Sequence, residues 1–191
     1  EAARYYRDLQ IAGELDAKTL LDYSEVLIKL KRYDDAFKHV EAVIGTDPLN
    51  LRANVLRGAV HTAKGEYKVA DEDLRKALKV NSESADAYYY LGRNEMAQGR
   101  VRVAVEFLAK ASSLASGNNE MRADLARAYT EVGGIDNRRK ALGQYTQIVN
   151  DYERYTSTGA QVVGISTDSP FALAEFKKVN HLLVCLFHTP R

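Results

Sequence analysis

The sequence predicts an all-α fold, an α-solenoid of stacked helix-turn-helix units that ends in a short strand-helix tail. The main observation is an interval of 34 residues, at which small and apolar residues recur along the 191-residue chain. The recurring sets are Ala36, Ala70 and Ala104; Gly65, Gly99 and Gly133; and Leu74 and Leu108. A fixed interval of this length indicates stacked copies of one supersecondary unit. Such stacks present broad binding surfaces, so the pattern favours a protein-binding function.

Each unit reads as two helices separated by a turn. In the third unit we expect helices over about residues 85–98 and 101–114. Gly99 lies between them, and glycine weakens a helix and reaches turn conformations that other residues avoid. The equivalent turn residues of the other units are Lys31, Gly65 and Gly133. The units span residues 17–50, 51–84, 85–118 and 119–155, the last with about three inserted residues, and residues 1–16 are expected to form the second helix of a truncated unit.

Small residues in both helices of a unit predict close packing between the two backbones. They are Ser24, Gly58, Gly92 and Ala126 at the eighth position of the unit, and Ala36, Ala70, Ala104 and Ala141 at the twentieth. Bulkier residues at the twenty-fourth position should fill the layer between units: Val40, Leu74, Leu108 and Tyr145. Asp47-Pro48 should end the first unit, and Ser82 and Ser116 should act as turn or cap residues in the next two.

These residues resemble the tetratricopeptide repeat family over about residues 2–155. The third unit matches the family pattern best, with Tyr88, Leu91, Gly92, Gly99, Ala104, Leu108 and Ala111. The resemblance implies a right-handed solenoid whose first helices line a concave face and hold a peptide or partner segment. On the matching inward positions, the candidate partner-binding residues are Arg52, Val55, Asp86, Tyr89, Arg93, Met96 and Arg127.

Charge and apolar area are both present among these candidates. Arg93 and Arg127 occupy the same position in adjacent units and should form a short basic row. Asp86 should lie in an acidic row beside it, while Tyr89 and Met96 supply apolar contact. We therefore expect another protein as the partner, bound through an extended peptide or a helix of mixed charge.

The resemblance also allows one subfamily to be tested. Chaperone-binding members of the family hold two carboxylates in a clamp of lysines and asparagines. The matching positions here hold Leu21, Glu25, Leu56, Asp86 and Tyr90 in one register, and Val55, Ala59, Tyr90, Glu120 and Asp124 in the next. Acids at these positions would repel a C-terminal carboxylate, so we expect no chaperone-adaptor role.

Some residues depart from the family pattern and place polar groups in half-buried layers. Arg57 replaces leucine at the seventh position, and Asn54 and Arg122 replace an aromatic residue at the fourth. A charge in such a layer is costly unless it is paired. We expect Arg57 to form a polar cluster with His61 and Glu95, which occupy the eleventh position of adjacent units.

Composition argues against several function classes. Lys plus Arg number 27 against 26 Asp plus Glu, which disfavours a nucleic-acid partner. The longest apolar run, residues 182–187, is far short of the ~20 residues that span a bilayer, so no membrane insertion is expected. The single cysteine, Cys185, favours a reducing compartment such as the cytoplasm. The sequence holds no phosphate loop, nucleophile elbow or metalloprotease motif, so we expect no enzymatic activity, no cofactor and no metal.

Residues 156–191 fall outside the 34-residue interval. We expect a strand over residues 162–166 and then a helix that Pro170 opens. Residues 160–178 resemble a piece of the peroxiredoxin group of the thioredoxin-like fold, without its peroxidatic cysteine. The tail then either caps the last unit, or marks the chain as the adaptor part of a larger redox protein. A further alternative is an assembly subunit that self-associates through truncated repeat ends.

Overall fold

The computed structural model describes residues 16–157, whose backbone forms eight α-helices. They are α1 (Ala17–Lys29), α2 (Tyr33–Thr46), α3 (Leu51–Ala63), α4 (Tyr67–Val80), α5 (Ala85–Ala97), α6 (Val101–Leu114), α7 (Asn119–Val132) and α8 (Ile135–Ser157). The all-α prediction is confirmed for this part of the chain. The predicted truncated helix and strand-helix tail lie outside the described residues, except that α8 continues through Ser157, two residues into the predicted tail.

The chain divides into two compact units, Glu1–Ser116 and Gly117–Arg191. In the first unit, α1 packs against α2, α3 against α4 and α5 against α6. The first helices of successive pairs also pack against one another, α1 against α3 and α3 against α5. In the second unit, α7 packs against α8. The first helices of the first unit therefore form one continuous layer.

The predicted turn residues adopt left-handed backbone conformations. The φ angles are +80° at Gly65, +73° at Gly99 and +76° at Gly133. Lys31, which has a Cβ atom, has the same kind of conformation with φ of +59°. The repeated turn explains why glycine recurs at the 34-residue interval, because only glycine reaches this region without steric cost.

The predicted close approach between paired helices is also present. A Cβ atom added to Gly58 would lie 2.6 Å from Leu74 Cγ, and one added to Gly92 would lie 2.6 Å from Leu108 Cγ. Both leucines are fully buried, as are the alanines at the twentieth position of the first three units. Leu74 belongs to a core cluster with Val55, Ala77, Ala87 and Leu91, so the bulky position links α3, α4 and α5.

A second series with the same interval sets the start of each first helix. Asp16, Asn50, Ser84 and Asn118 are the N-cap residues of α1, α3, α5 and α7, and each side chain accepts a hydrogen bond from a first-turn N–H group. Such caps typically stabilise a helix by about 1 kcal/mol. Ser82 and Ser116, expected to be turn or cap residues, lie in the turns two residues before Ser84 and Asn118.

Candidate functional site

The candidate partner-binding residues of the first unit lie on the layer formed by α1, α3 and α5. Val55 and Tyr89 occupy the same position of adjacent first helices, and they are 3% and 4% exposed. Val55 packs into the core cluster around Leu74, because α3 contacts both α1 and α5 closely. The accessible candidates of this unit are Asp86 and Arg93, both exposed, and Arg52 and Met96, both half-buried.

Arg52 on α3 forms two ion pairs with α1. Its guanidinium lies 2.6 Å from Asp22 Oδ1 and 2.7 Å from Glu25 Oε1. Burial favours the neutral guanidinium, but the hydrogen bonds donated to Glu25 and Asp22 outweigh this effect and raise the pKa of Arg52. Arg52 therefore presents a fixed polar surface in which two carboxylates flank one cation.

Arg93 lies over an aromatic ring of its own helix. Its guanidinium carbon is 5.6 Å from the centroid of the Tyr89 ring, a distance typical of a cation–π contact. Tyr89 in turn meets the Tyr90 ring edge-on, with centroids 5.2 Å apart. Because the ring is buried, it holds the exposed arginine in place without offering much area of its own.

Arg127 lies on α7 in the second compact unit. It is exposed, and its Nη1 atom is 3.2 Å from Asp124 Oδ1 on the preceding turn of the same helix. The basic row that the sequence predicts for Arg93 and Arg127 stays a prediction.

Arg57 and His61 meet on a buried carboxylate that the sequence analysis did not identify. Asp73 on α4 is 2% exposed and accepts hydrogen bonds from Arg57 at 2.7 and 2.9 Å. His61 Nε2 lies 3.7 Å from Asp73 Oδ2, and Arg57 also pairs with Glu41 on α2 at 2.8 Å. The predicted cluster is thus correct for Arg57 and His61 but wrong for Glu95.

Glu95 is paired within its own repeat. Its carboxylate is 2.7 Å from Arg100 Nε, across the turn between α5 and α6. Glu95 was the predicted anion because it occupies the helical position equivalent to that of His61. An arginine where the family has leucine was still a usable signal, since it required a buried acid nearby.

The second unit uses the same kind of pairing. Arg122 on α7 forms an ion pair with Asp151 on α8, and both side chains are about nine-tenths buried. The hydrogen bond that Arg122 donates lowers the pKa of Asp151 from its ordinary value. The charged residues at the departure positions are therefore paired and act in the packing of helices.

Neither a metal-binding cluster nor a membrane-spanning helix is found in residues 16–157. No group of three or more His, Cys, Asp and Glu side chains there is arranged to hold a metal ion. None of the helices in this stretch combines the length and the apolar character needed to cross a bilayer.

Comparison with known proteins agrees with the helix-pair architecture. A tetratricopeptide repeat family model matches residues 55–119. Anaphase-promoting complex subunit 3 of Schizosaccharomyces pombe is 27% identical over 158 residues, which are 83% of this chain and 21% of that protein. The chain therefore spans about a fifth of the length of this relative.

Solved structures show the same fold. A thermophilic tetratricopeptide protein of Thermus thermophilus superposes with a TM-score of 0.62 at 20% identity, covering 82% of this chain and 96% of that one. The first tetratricopeptide domain of Spaghetti (RPAP3), bound to the HSP90 peptide SRMEEVD, gives a TM-score of 0.53 at 20% identity and covers 62% and 96%. The chain thus has the fold of an α-solenoid of helix pairs, and its residues 55–119 are similar to the tetratricopeptide repeat family.

Proposed function

We propose that the chain is a non-catalytic interaction scaffold that holds a peptide or partner segment against its first helices. The observation that carries the proposal is the continuous layer of α1, α3 and α5, on which fixed charged side chains stand above a closed core. Arg52, held by Asp22 and Glu25, and Arg93, held over Tyr89, are pre-oriented. Groups held in place lose little conformational freedom when a partner binds, which favours affinity.

The partner chemistry follows from the accessible candidates. Arg93 and Arg127 would receive acidic side chains or peptide carbonyls, Asp86 a basic side chain, and Met96 an apolar one. An extended peptide of mixed charge suits Asp86, Arg93 and Met96 of the first compact unit, because alternating polar and apolar contacts give both affinity and register.

A selected peptide tests the proposal. Peptides chosen from a displayed random library on the immobilised full chain would be synthesised with a fluorescent label and titrated by anisotropy. Arg93→Glu with Arg127→Glu should weaken binding at least about tenfold, as expected for charged anchors. Lys79→Glu with Lys110→Glu, an equal charge change on exposed positions of the second helices, is the matched control. Unchanged binding of the Arg93 and Arg127 variant would place the site elsewhere.

We also propose that the chain does not serve as a two-carboxylate clamp. Leu21 and Leu56 are buried, and Glu25 is engaged with Arg52, so these clamp positions of the first unit offer no free cation or amide. The peptide SRMEEVD should therefore show no saturable binding at micromolar concentrations. Saturable binding that is lost when its C-terminal carboxylate is amidated would contradict this expectation.

Self-association of the chain through truncated repeat ends is a separate hypothesis, and it can be tested on the purified full chain. Light scattering at several concentrations reports the mass directly, and a strict monomer at every concentration would remove the hypothesis. The redox-adaptor alternative depends on residues 160–178, which lie outside the described residues.

A further inference from the structure

In the first compact unit, the turns that join the first helix of each repeat to the second carry an excess of positive charge. We call residues 29–35, 63–69 and 97–103 the turn edge. It holds seven basic residues, Lys29, Lys31, Arg32, Lys64, Lys68, Arg100 and Arg102, against three acidic ones, Asp34, Asp35 and Glu66. The equivalent loops at the opposite ends of these helices, residues 46–52 and 80–86, hold one basic and three acidic residues. The near-neutral chain is therefore charged unevenly.

Direct contacts join the first turn to the second, and helix α5 of the third repeat to the second turn. Lys64 Nζ lies 2.9 Å from Asp34 Oδ1, which joins the first turn to the second. Lys31 and Lys64 also line one shallow cavity of about 230 Å³ with Arg32 and Tyr33. Asn94 on α5 donates to the backbone carbonyl of Tyr67 at 3.0 Å, which joins the third repeat to the second turn.

The acids of the turn edge are already paired. Asp35 accepts from Arg32 at 2.5 Å, Asp34 from Lys64, and Glu66 is paired with His61. Four cations carry no side-chain hydrogen bond or ion pair within the described part of the chain, and all four are exposed: Lys29, Lys31, Lys68 and Arg102. The free charge of the turn edge is thus positive along its whole length.

Lys31 gives a second, independent observation. The other two turns of the unit place glycine at this position, and Lys31 holds the same left-handed backbone with φ of +59°. Non-glycine residues held in this region cluster at functional sites. Here the strained residue is also the cation at the apex of the first turn.

We propose that the turn edge docks an acidic segment of a partner protein. Adjacent repeats lie roughly 10 Å apart, so the three turns span about 20 Å, which an extended peptide of about six residues covers. Flexible Asp and Glu side chains can reach each of the unpaired cations in turn. This surface meets the first-helix layer at the ends of α1, α3 and α5, but Lys31, Lys68 and Arg102 lie outside those helices, and neither proposal depends on the other.

A polynucleotide fits the turn edge less well. Firm duplex binding uses about six to ten phosphate contacts, more than the four unpaired cations provide. Single strands need exposed aromatic rings on which bases stack. The aromatic residues of the turn edge, Tyr33 and Tyr67, are half-buried.

Fluorescence anisotropy with a labelled octaglutamate peptide tests the proposal on the full chain. Wild type should bind at about 20 mM ionic strength and more weakly at about 150 mM, since screening shortens the reach of surface charges. Lys31→Glu with Lys68→Glu and Arg102→Glu should weaken binding at least about tenfold. The matched control is Lys38→Glu with Lys79→Glu and Lys110→Glu, three exposed cations of the second helices, and it should change binding less than about twofold.

Three outcomes would overturn the proposal. Equal weakening by both triple variants would show that only net charge matters. Absence of binding by wild type at low ionic strength would remove the site, and tighter binding of a labelled oligothymidylate would assign the surface to nucleic acid. Circular dichroism checks that each variant is folded. Lys31→Arg with Lys68→Arg and Arg102→Lys, which keeps every charge, should retain binding.

Discussion

At the scale of single residues, Lys31 stands where the later turns have glycine. A non-glycine residue in the left-handed region costs about 1–2 kcal/mol. Glycine avoids this cost but lowers the free energy of unfolding by about 0.5–1 kcal/mol, because it has more conformational freedom in the unfolded chain. Lys31→Gly should therefore raise the free energy of unfolding by about 0.5–1 kcal/mol, as measured by urea denaturation.

The reciprocal change is the control for this prediction. A Cβ atom added at Gly99 meets nothing within 4 Å, so Gly99→Lys tests backbone strain alone. It should lower stability by about 1 kcal/mol. If both variants left stability unchanged, the left-handed turn would not be strained.

Replacement of Asp73 should lower the free energy of unfolding strongly. Asp73 is the buried acceptor for Arg57, and without its charge Arg57 keeps only the more exposed Glu41 as an anionic partner. Asp73→Asn should cost about 3 kcal/mol of unfolding free energy. Asp71→Asn removes the more exposed pair with Arg75 on the same helix and should cost less than about 1 kcal/mol. Equal losses in urea denaturation would contradict the burial argument.

At the scale of elements, helix pairing depends on the absence of a side chain at Gly58. An added Cβ atom would lie 2.6 and 2.8 Å from Leu74 Cγ and Cδ2, and 3.3 Å from the carbonyl oxygen of Ala70. Leu74 is fully buried and has no room to withdraw. Gly58→Ala should therefore lower stability by about 1–3 kcal/mol through overpacking of α3 against α4.

Gly143 provides the comparison in an exposed helix interior. A Cβ atom there would meet nothing within 4 Å, so Gly143→Ala in α8 should raise stability by about 0.5–1 kcal/mol. Thermal unfolding of the two variants would show shifts of opposite sign. A stabilised Gly58→Ala variant would refute the close approach of α3 and α4.

The ion pair between α7 and α8 should give an acid-dependent contribution to stability. The pKa of Asp151 is lowered by Arg122, so in the folded state it lies below the unfolded value of about 3.9. The contribution is fully present above that pH and is lost as the pH falls through the folded pKa. The difference in melting temperature between wild type and Asp151→Asn should stay constant from about pH 7 to 5 and shrink below about pH 4. A difference that grows on acidification would contradict the assignment.

At the scale of the whole molecule, the interval in the sequence predicts the helix pairs, the turn residues and the small contact positions. Each of these features depends only on a residue's position within the repeat. Gly65, a turn residue, and Ala70, a small contact residue, are examples. The partner of Arg57 was missed because the interval says which helices are adjacent but not which acid a long side chain reaches. The N-caps Asp16, Asn50, Ser84 and Asn118 were missed although they share the interval.

The candidate site was less predictable than the fold. The resemblance to the family predicts that Val55 and Tyr89 occupy inward positions. It does not predict that the packing of α3 with its neighbours buries them. The turn edge could be found in the sequence, since Lys68 and Arg102 are 34 residues apart. The near-neutral total charge of the chain does not predict this surface, because a total does not show where the charge lies.

The spacing of Asn50 and Ser84 has a consequence for how such a protein can lengthen or shorten. Each is the N-cap residue of the helix that follows it, and each is preceded by a loop. We therefore expect that a gene duplication or deletion of one full period leaves a loop and an N-cap residue at each junction. The number of repeats can then change without any new loop sequence.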